Sequence, residues 1–380
     1  MIVGVPRESL RHEHRVGLTP QGAQRLSGLG HRVYVEHGAG HDSHFADEDF
    51  ERAGATIAYR AEEVFQRADL VCQVGTVGDA AIEALRPGST LCGFLHLAVA
   101  PKERLARLVD KQATLLGYEV VEDGAGRHPV SAPLAEIAGG VVIQTAAHLL
   151  EHEAGGRGIL LGGVPGIPPA TVVVLGAGKA GRAAAHTALA AGAHVIVLDA
   201  DLARLRNVHG KLAGRAVTAI ATPAEVARYA RIADVLVGAV SISGGRRSPC
   251  LVTEDTVRAM KPGSIIIDLS IDQGGCVETS RPTTLDTPTF QLHGVTHCCV
   301  PNLTANVPRT AARALTLAAL PYLERLAEDG VACALAADAG LARGVFVYRG
   351  RVVNEAVARA LGRAAEPLAP LLRAPPEGGP

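Results

Sequence analysis

Tryptophan is absent from the 380 residues, and aromatic side chains make up only 3%. A core without large rings must be filled by Val, Ile, Leu and Ala. That suits buried parallel strands and close helix–strand packing. No charge excess is present: 37 Lys and Arg stand against 38 Asp and Glu, and the basic residues are scattered. This excludes a nucleic-acid footprint. No run of 18 apolar residues reaches membrane length, so no membrane partner is expected. The start, Met1-Ile-Val-Gly-Val-Pro-Arg-Glu, reads directly as a strand and lacks signal-peptide architecture. The seven cysteines are odd in number, and no zinc spacing appears. They are expected to be reduced and mostly core, with no metal site. These absences lead to the expectation of a cytoplasmic protein.

What is present is a β/α alternation rich in glycine (43 residues). Ile2–Val5, His31–Glu36, Asp69–Val74, Thr90–Phe94 and Thr114–Glu119 read as strands. Pro20–Leu29, Asp47–Ala53, Ala61–Arg67 and Pro101–Lys111 read as helices between them. A buried helix is expected over Leu134–Glu153. The alternation resumes with strands Thr171–Leu175, His194–Leu198, Val217–Ile220, Val235–Gly238 and Ser264–Leu269. From Asn302 onward the chain reads as helical, especially Arg309–Ala327. The fold class is therefore α/β, with two doubly wound Rossmann-like domains and an active-site cleft between them. The expected division is a discontinuous substrate domain, 1–127 plus 305–372, and a nucleotide-binding domain, 128–304. A Pro/Gly-rich flexible tail, 373–380, follows.

An internal repeat supports two similar domains. Ala68-Asp69-Leu70-Val71 precedes Arg86-Pro87-Gly88-Ser89, an apolar strand, and Phe94-Leu95-His96. Ala233-Asp234-Val235-Leu236 precedes Lys261-Pro262-Gly263-Ser264, an apolar strand, and Ser270-Ile271-Asp272. Ligands of open α/β sheets bind beyond the carboxyl ends of strands. The repeat thus places His96 and Asp272 at equivalent strand ends, as an acid–base pair if the two ends face each other.

Gly176-Ala177-Gly178-Lys179-Ala180-Gly181 is a G-x-G-x-x-G at the end of an apolar strand, followed by a helix expected over Arg182–Ala191. Gly176 permits the tight turn, Gly178 lets a pyrophosphate approach, and Gly181 allows close helix–sheet packing. The helix N-terminus offers N–H groups to phosphate. Asp199, ending the next strand, is placed to accept the adenine ribose hydroxyls and repel a 2′-phosphate. NAD is therefore expected over NADP, with Arg204 as the counter-signal.

Among catalytic candidates, Arg15 has the guanidinium to hold a carboxylate with two parallel hydrogen bonds, or to pair with Glu8 or Glu13 instead. His96 suits acid–base work near neutral pH. Asp272, followed by Gln-Gly-Gly, suits an ammonium or iminium, or a plain turn cap.

The segments His14-Arg-Val-Gly-Leu-Thr-Pro20, Phe94-Leu-His-Leu-Ala98, Gly162-Gly-Val-Pro-Gly166, Ile271-Asp-Gln-Gly-Gly-Cys276, Ser280-Arg-Pro-Thr-Thr284, Asn302 and Val307-Pro308 carry a family likeness. The chain resembles the alanine dehydrogenases and the related NAD-binding part of transhydrogenase, from residue 1 to about 360. The resemblance implies reversible conversion of an L-amino acid and NAD to a 2-oxo acid, ammonium and NADH. It implies a homo-oligomer, a hexamer or a dimer. It gives Arg15 the substrate carboxylate, His96 acid–base duty, Asp272 the ammonia side, and Asn302 a place by substrate and nicotinamide. Ala239, Val240, Ile271 and Asp272 complete the expected cofactor contacts. The pattern breaks where the family reads Lys-Val-Lys-Glu-Pro and this chain reads Gln73-Val-Gly-Thr-Val77. The substrate-contacting lysine is replaced by Gly75. The aromatic residue before Phe-Leu-His is replaced by Gly93. Both changes are expected to enlarge the substrate pocket, disfavouring alanine. An opine-type dehydrogenase, coupling an oxo acid to a second amino acid, and a non-catalytic NAD-binding protein are the alternative functions.

Overall fold

The computed structural model describes residues 1–240 and 247–373. Residues 374–380 of the expected tail lie outside the described residues, and Arg373 ends a helix that starts at Leu368. Contacts divide the chain into two compact units: Met1–Leu134 with the chain from Ala305 onward, and Ala135–Thr304. The helix Ala132–Leu149 spans the junction.

The first piece of chain contributes β1 (Ile2–Val5), β2 (Arg32–Glu36), β3 (Thr56–Ala58), β4 (Leu70–Cys72), β5 (Thr90–Gly93) and β6 (Thr114–Gly117). The middle contributes β7 (Thr171–Leu175), β8 (His194–Asp199), β9 (Val217–Ile220), β10 (Val235–Gly238), β11 (Ile265–Asp268), β12 (Thr289–Leu292) and β13 (Val295–Cys298). The last piece contributes β14 (Val345–Tyr348) and β15 (Arg351–Val352).

The first unit's sheet runs β15-β14-β6-β5-β4-β1-β2-β3. It is parallel from β6 to β3, and β14 and β15 join antiparallel. Successive residues of β4 and β5 feed opposite faces. Cys72 and Cys92 join one buried cluster, while Val71 and Leu91 join another. The helix Pro308–Glu328 covers the first face with Ala312, Leu315, Ala319, Leu323 and Leu326, the spacing of one helical stripe. The C-terminal stretch therefore differs from expectation. It is not helical throughout, because Val345-Phe-Val-Tyr348 adds an antiparallel strand beside β6.

The second unit's sheet runs β12-β13-β11-β10-β7-β8-β9, parallel except for the β12–β13 hairpin. That hairpin was also absent from the expected elements. Its core is aliphatic, with Val173, Leu175, Ile196, Leu198, Leu236 and Ile266 buried together.

The internal repeat corresponds to one construction used in both units. The Asp69 carboxylate accepts from the Ile2 amide at 2.7 Å and from Arg86 at 2.5 Å. The Asp234 carboxylate accepts from the Thr171 amide at 2.8 Å and from Lys261 at 2.9 Å. Each aspartate ties the first residue of a neighbouring strand to the cation that precedes the next strand. Their backbones continue the match: the Asp69 carbonyl accepts from Thr90, and the Asp234 carbonyl from Ile265.

Candidate functional site

In the first unit, polar groups gather at the carboxyl ends of β1, β4 and β5. Arg15 is buried and meets Glu13 with two bonds, Nε to Oε1 at 2.7 Å and Nη2 to Oε2 at 2.6 Å. The bidentate carboxylate expected from substrate is thus supplied, on that edge of the guanidinium, by the chain itself. The alternative pairing with Glu13 thus forms, and both partners are buried.

Glu8 lies in the same cluster. Its carboxylate accepts from the amides of Val74 (2.6 Å) and Gly75 (3.2 Å), and the Gln73 amide nitrogen lies at 3.5 Å. Burial, with Glu13 nearby, pushes its pKa up to about 7 despite the two amides and Arg15. A cavity of ≈ 180 Å³ is lined by Arg7, Glu8, Leu10, His12, Glu13 and Arg15, among others.

The two substituted glycines differ. A Cβ built on Gly75 would meet only Leu10 at 3.4 Å and the Glu8 carboxylate at 3.6 Å, so a side chain has room there. A Cβ on Gly93 would press on the carbonyl oxygens of Gln73 (3.1 Å) and Gly75 (3.3 Å). The expectation of vacated volume at Gly93 is corrected: backbone fills that space. Gly93 bears on the site through the strand end of Gly75.

His96 follows β5 with φ 47° and ψ 36°, a left-handed conformation costly for a residue with a Cβ. Its ring is exposed and stacks on Phe94 at 6.4 Å. The His96 amide donates to the Glu119 carboxylate at 2.6 Å, and the ring Nδ1 lies 3.9 Å from the same oxygen. Burial raises the Glu119 pKa, and the imidazole opposes the rise. The other Glu119 oxygen is buried without a hydrogen-bond partner. Glu119 thus fixes the backbone turn that presents His96. Sequence reading missed it, along with Glu8 as an independent group, because neither sits in a chemical motif. An acidic residue closing β6 beside the His96 strand was the available signal.

In the second unit, the helix after the glycine loop begins at Lys179, three residues before the expected start. Lys179, Ala180 and Gly181 therefore form its first turn, where amides lack helical partners. A Cβ on Gly181 would stand 1.8 Å from the Gly176 carbonyl oxygen, and one on Gly176 would stand 2.4 Å from that of Ala239. Both must be glycine for the loop to pack. Around the Gly178 Cβ position nothing lies within 4 Å, leaving an open approach at the helix N-terminus. Asp199 is buried. Its oxygens accept from the amides of Ala177 (2.6 Å) and Asp201 (2.8 Å), with Arg204 3.9 Å away. It holds the loop itself and retains lone pairs for another donor.

Ser270 joins the rest. Its hydroxyl accepts from the Val240 amide at 2.9 Å, and its own amide donates to buried Asp268. Asp268 also accepts from the Cys276 amide, so it braces the turn on which buried Ile271 and exposed Asp272 sit. The loop glycines, Ala239, Val240 and Ile271 are thus brought together at the ends of β7, β10 and β11. Asn302 has φ 58° and accepts from the Thr304 hydroxyl at 3.0 Å.

Two family models match nearly the whole chain. "Alanine dehydrogenase/PNT, N-terminal domain" matches residues 4–138, and "Alanine dehydrogenase/PNT, C-terminal domain" matches residues 142–355. The chain belongs to the alanine dehydrogenase/PNT family. Alanine dehydrogenase of Mycolicibacterium smegmatis is 43% identical over 361 residues, covering 95% of this chain and 97% of that protein. Alanine dehydrogenase of Mycobacterium tuberculosis is 42% identical over 362 residues, with the same coverage. A solved L-alanine dehydrogenase superposes with a TM-score of 0.90 at 39% identity, covering 95% of this chain and 99% of its own. A transhydrogenase from Sinorhizobium meliloti shares the fold, with a TM-score of 0.79 at 24% identity. As a member of the alanine dehydrogenase/PNT family the protein is an oxidoreductase of the amino acid dehydrogenase type. No described helix is long and apolar enough to cross a membrane.

Proposed function

We propose that the protein catalyses the NAD-dependent, reversible oxidative deamination of an L-amino acid other than alanine. The amino acid, NAD⁺ and water give the 2-oxo acid, ammonium, NADH and a proton. NAD⁺ supplies the hydride acceptor. The glycine loop from Gly176 to Gly181 has the shape for its pyrophosphate: an open Gly178 at a helix N-terminus, with Asp199 holding the loop from behind. Asn302 lies beside substrate and nicotinamide, Arg15 orients the substrate carboxylate, and Asp272 attracts the departing ammonium. His96 takes a proton from the attacking water and returns one in the reverse direction. The enzyme acts as a cytoplasmic homo-oligomer.

The observation that carries the substrate reading is the open Cβ position of Gly75 beside the Glu8 carboxylate. A lysine is expected there from the family likeness. Without it a small oxo acid loses a charge-assisted hydrogen bond worth roughly 1.5–3 kcal/mol, about 10- to 150-fold in binding. Following NADH consumption across a series of oxo acids with ammonium tests this. Larger oxo acids are expected to exceed pyruvate in kcat/KM. Pyruvate leading the series would restore plain alanine dehydrogenation.

A further inference from the structure

The cavity lined by Glu8 and the open Cβ position of Gly75 meet at one carboxylate. Glu8 holds its carboxylate there by two backbone amides, from Val74 and Gly75. Gln73 is 1% exposed, its amide nitrogen leans toward Glu8 at 3.5 Å, and its Oε1 has no hydrogen-bond partner. Glu13, the other carboxylate of the cluster, is committed to Arg15 through both oxygens. The room over Gly75 adjoins the Glu8 carboxylate directly.

We propose that this cavity binds a protonated alkylamine of the substrate, its ammonium docking on the Glu8 carboxylate beside Gly75. This rests on the reading of the first unit as the substrate domain and names the substrate class. An ammonium has three donors and no acceptor, which matches a carboxylate held open beside Gly75. The ligand brings the cation that the chain lacks at position 75. Burial of Glu8, which makes its charge costly in the empty pocket, makes a cation there more valuable than at an exposed site. The favoured form is a diamino acid, whose side-chain ammonium occupies the pocket while its α-carbon is oxidised.

The test compares NAD⁺-dependent oxidation of L-ornithine and L-2,4-diaminobutyrate with that of L-norvaline and L-2-aminobutyrate, their neutral counterparts of equal chain length. The diamino acids are expected to lead by tenfold or more in kcat/KM. Glu8→Gln, and separately Gly75→Lys, are expected to reduce that ratio by tenfold or more. Gly75→Lys enters open space, so it keeps the test alive if Glu8→Gln folds poorly. A parallel arm offers pyruvate, NADH and putrescine. Turnover there, sensitive to the same variants and without diamino acid oxidation, assigns the ammonium to a second amine substrate. If no amino acid is turned over, the proposed reaction fails. The pocket is then judged by equilibrium dialysis of ornithine against norvaline on the wild type and both variants. Selective retention of ornithine, lost in the variants, supports the pocket. Neutral ligands preferred or retained equally, in either assay, or a preference indifferent to both variants, overturns it.

Discussion

Replacing Glu8 by glutamine should change the pH dependence of stability in one direction only. In the folded protein the Glu8 carboxyl titrates at about 7, against an ordinary 4.5. Burial is the largest cause, and repulsion from Glu13 adds to it. The folded state therefore holds this proton more tightly than the unfolded chain does. Its stabilising contribution is fully present below the unfolded value of 4.5 and is lost as pH rises through 7. A displacement from 4.5 to about 7 corresponds to about 3 kcal/mol in total. Roughly 2 kcal/mol of that falls between pH 5 and pH 8, since part of the titration lies outside this window. Glutamine keeps the shape but cannot ionise. The stability of Glu8→Gln relative to wild type should therefore rise by about 2 kcal/mol from pH 5 to pH 8. Glu36 and Glu119, raised by burial, and His31 and His297, lowered by burial, titrate in both proteins and drop out of the difference. Urea unfolding followed by circular dichroism at a series of pH values gives the curve. A difference that stays flat, or falls with pH, would refute the idea that ionised Glu8 is strained in the empty pocket.

Three other outcomes are expected. His96→Ala and Asp272→Asn should each leave NADH binding close to wild type, by fluorescence titration, while turnover falls by roughly 10²-fold or more; wild-type turnover in either removes that residue from the mechanism. NADH should bind more tightly than NADPH, and Asp199→Ala should narrow the gap. The same variant should lower stability by about 1–3 kcal/mol, because the buried Ala177 amide loses its acceptor; equal binding of both cofactors by the wild type would mean that Arg204 outweighs Asp199. Glu119→Gln keeps an acceptor for the His96 amide but removes the charge 3.9 Å from its ring. Turnover is expected to fall while NADH binding stays close to wild type, whereas wild-type turnover would leave Glu119 without a part in positioning the ring.

Much of the architecture was legible because it rests on local signals. Thr171–Leu175 is an unbroken apolar strand ending at Gly176, and the observed strand has those bounds. The same holds for Ile2–Val5, Val217–Ile220 and Val235–Gly238. Four of the five missed strands have a common cause, while the fifth, β3, is a three-residue parallel strand too short to show alternation. The β12–β13 and β14–β15 hairpins turn on His293-Gly294 and Arg349-Gly350, all four with positive φ. Such two-residue loops usually announce themselves as Asn-Gly or Asp-Gly. With His and Arg in the first position, the turn was hidden until the strands were paired.

The amino-acid sequence by itself determined the α/β class, the glycine loop and the doubled Asp…Lys/Arg-Pro-Gly-Ser construction, because each depends on neighbours in the chain or on conformations only glycine tolerates. It also exposed the lost lysine at Gly75. Only the tertiary structure decided what surrounds that gap. Val74 and Gly75 hold Glu8 from 66 and 67 residues away, Arg15 is engaged by Glu13, and backbone rather than empty space meets Gly93. Burial and pairing set the charge of a carboxyl group and the room beside a glycine. Both are properties of groups that only folding brings together.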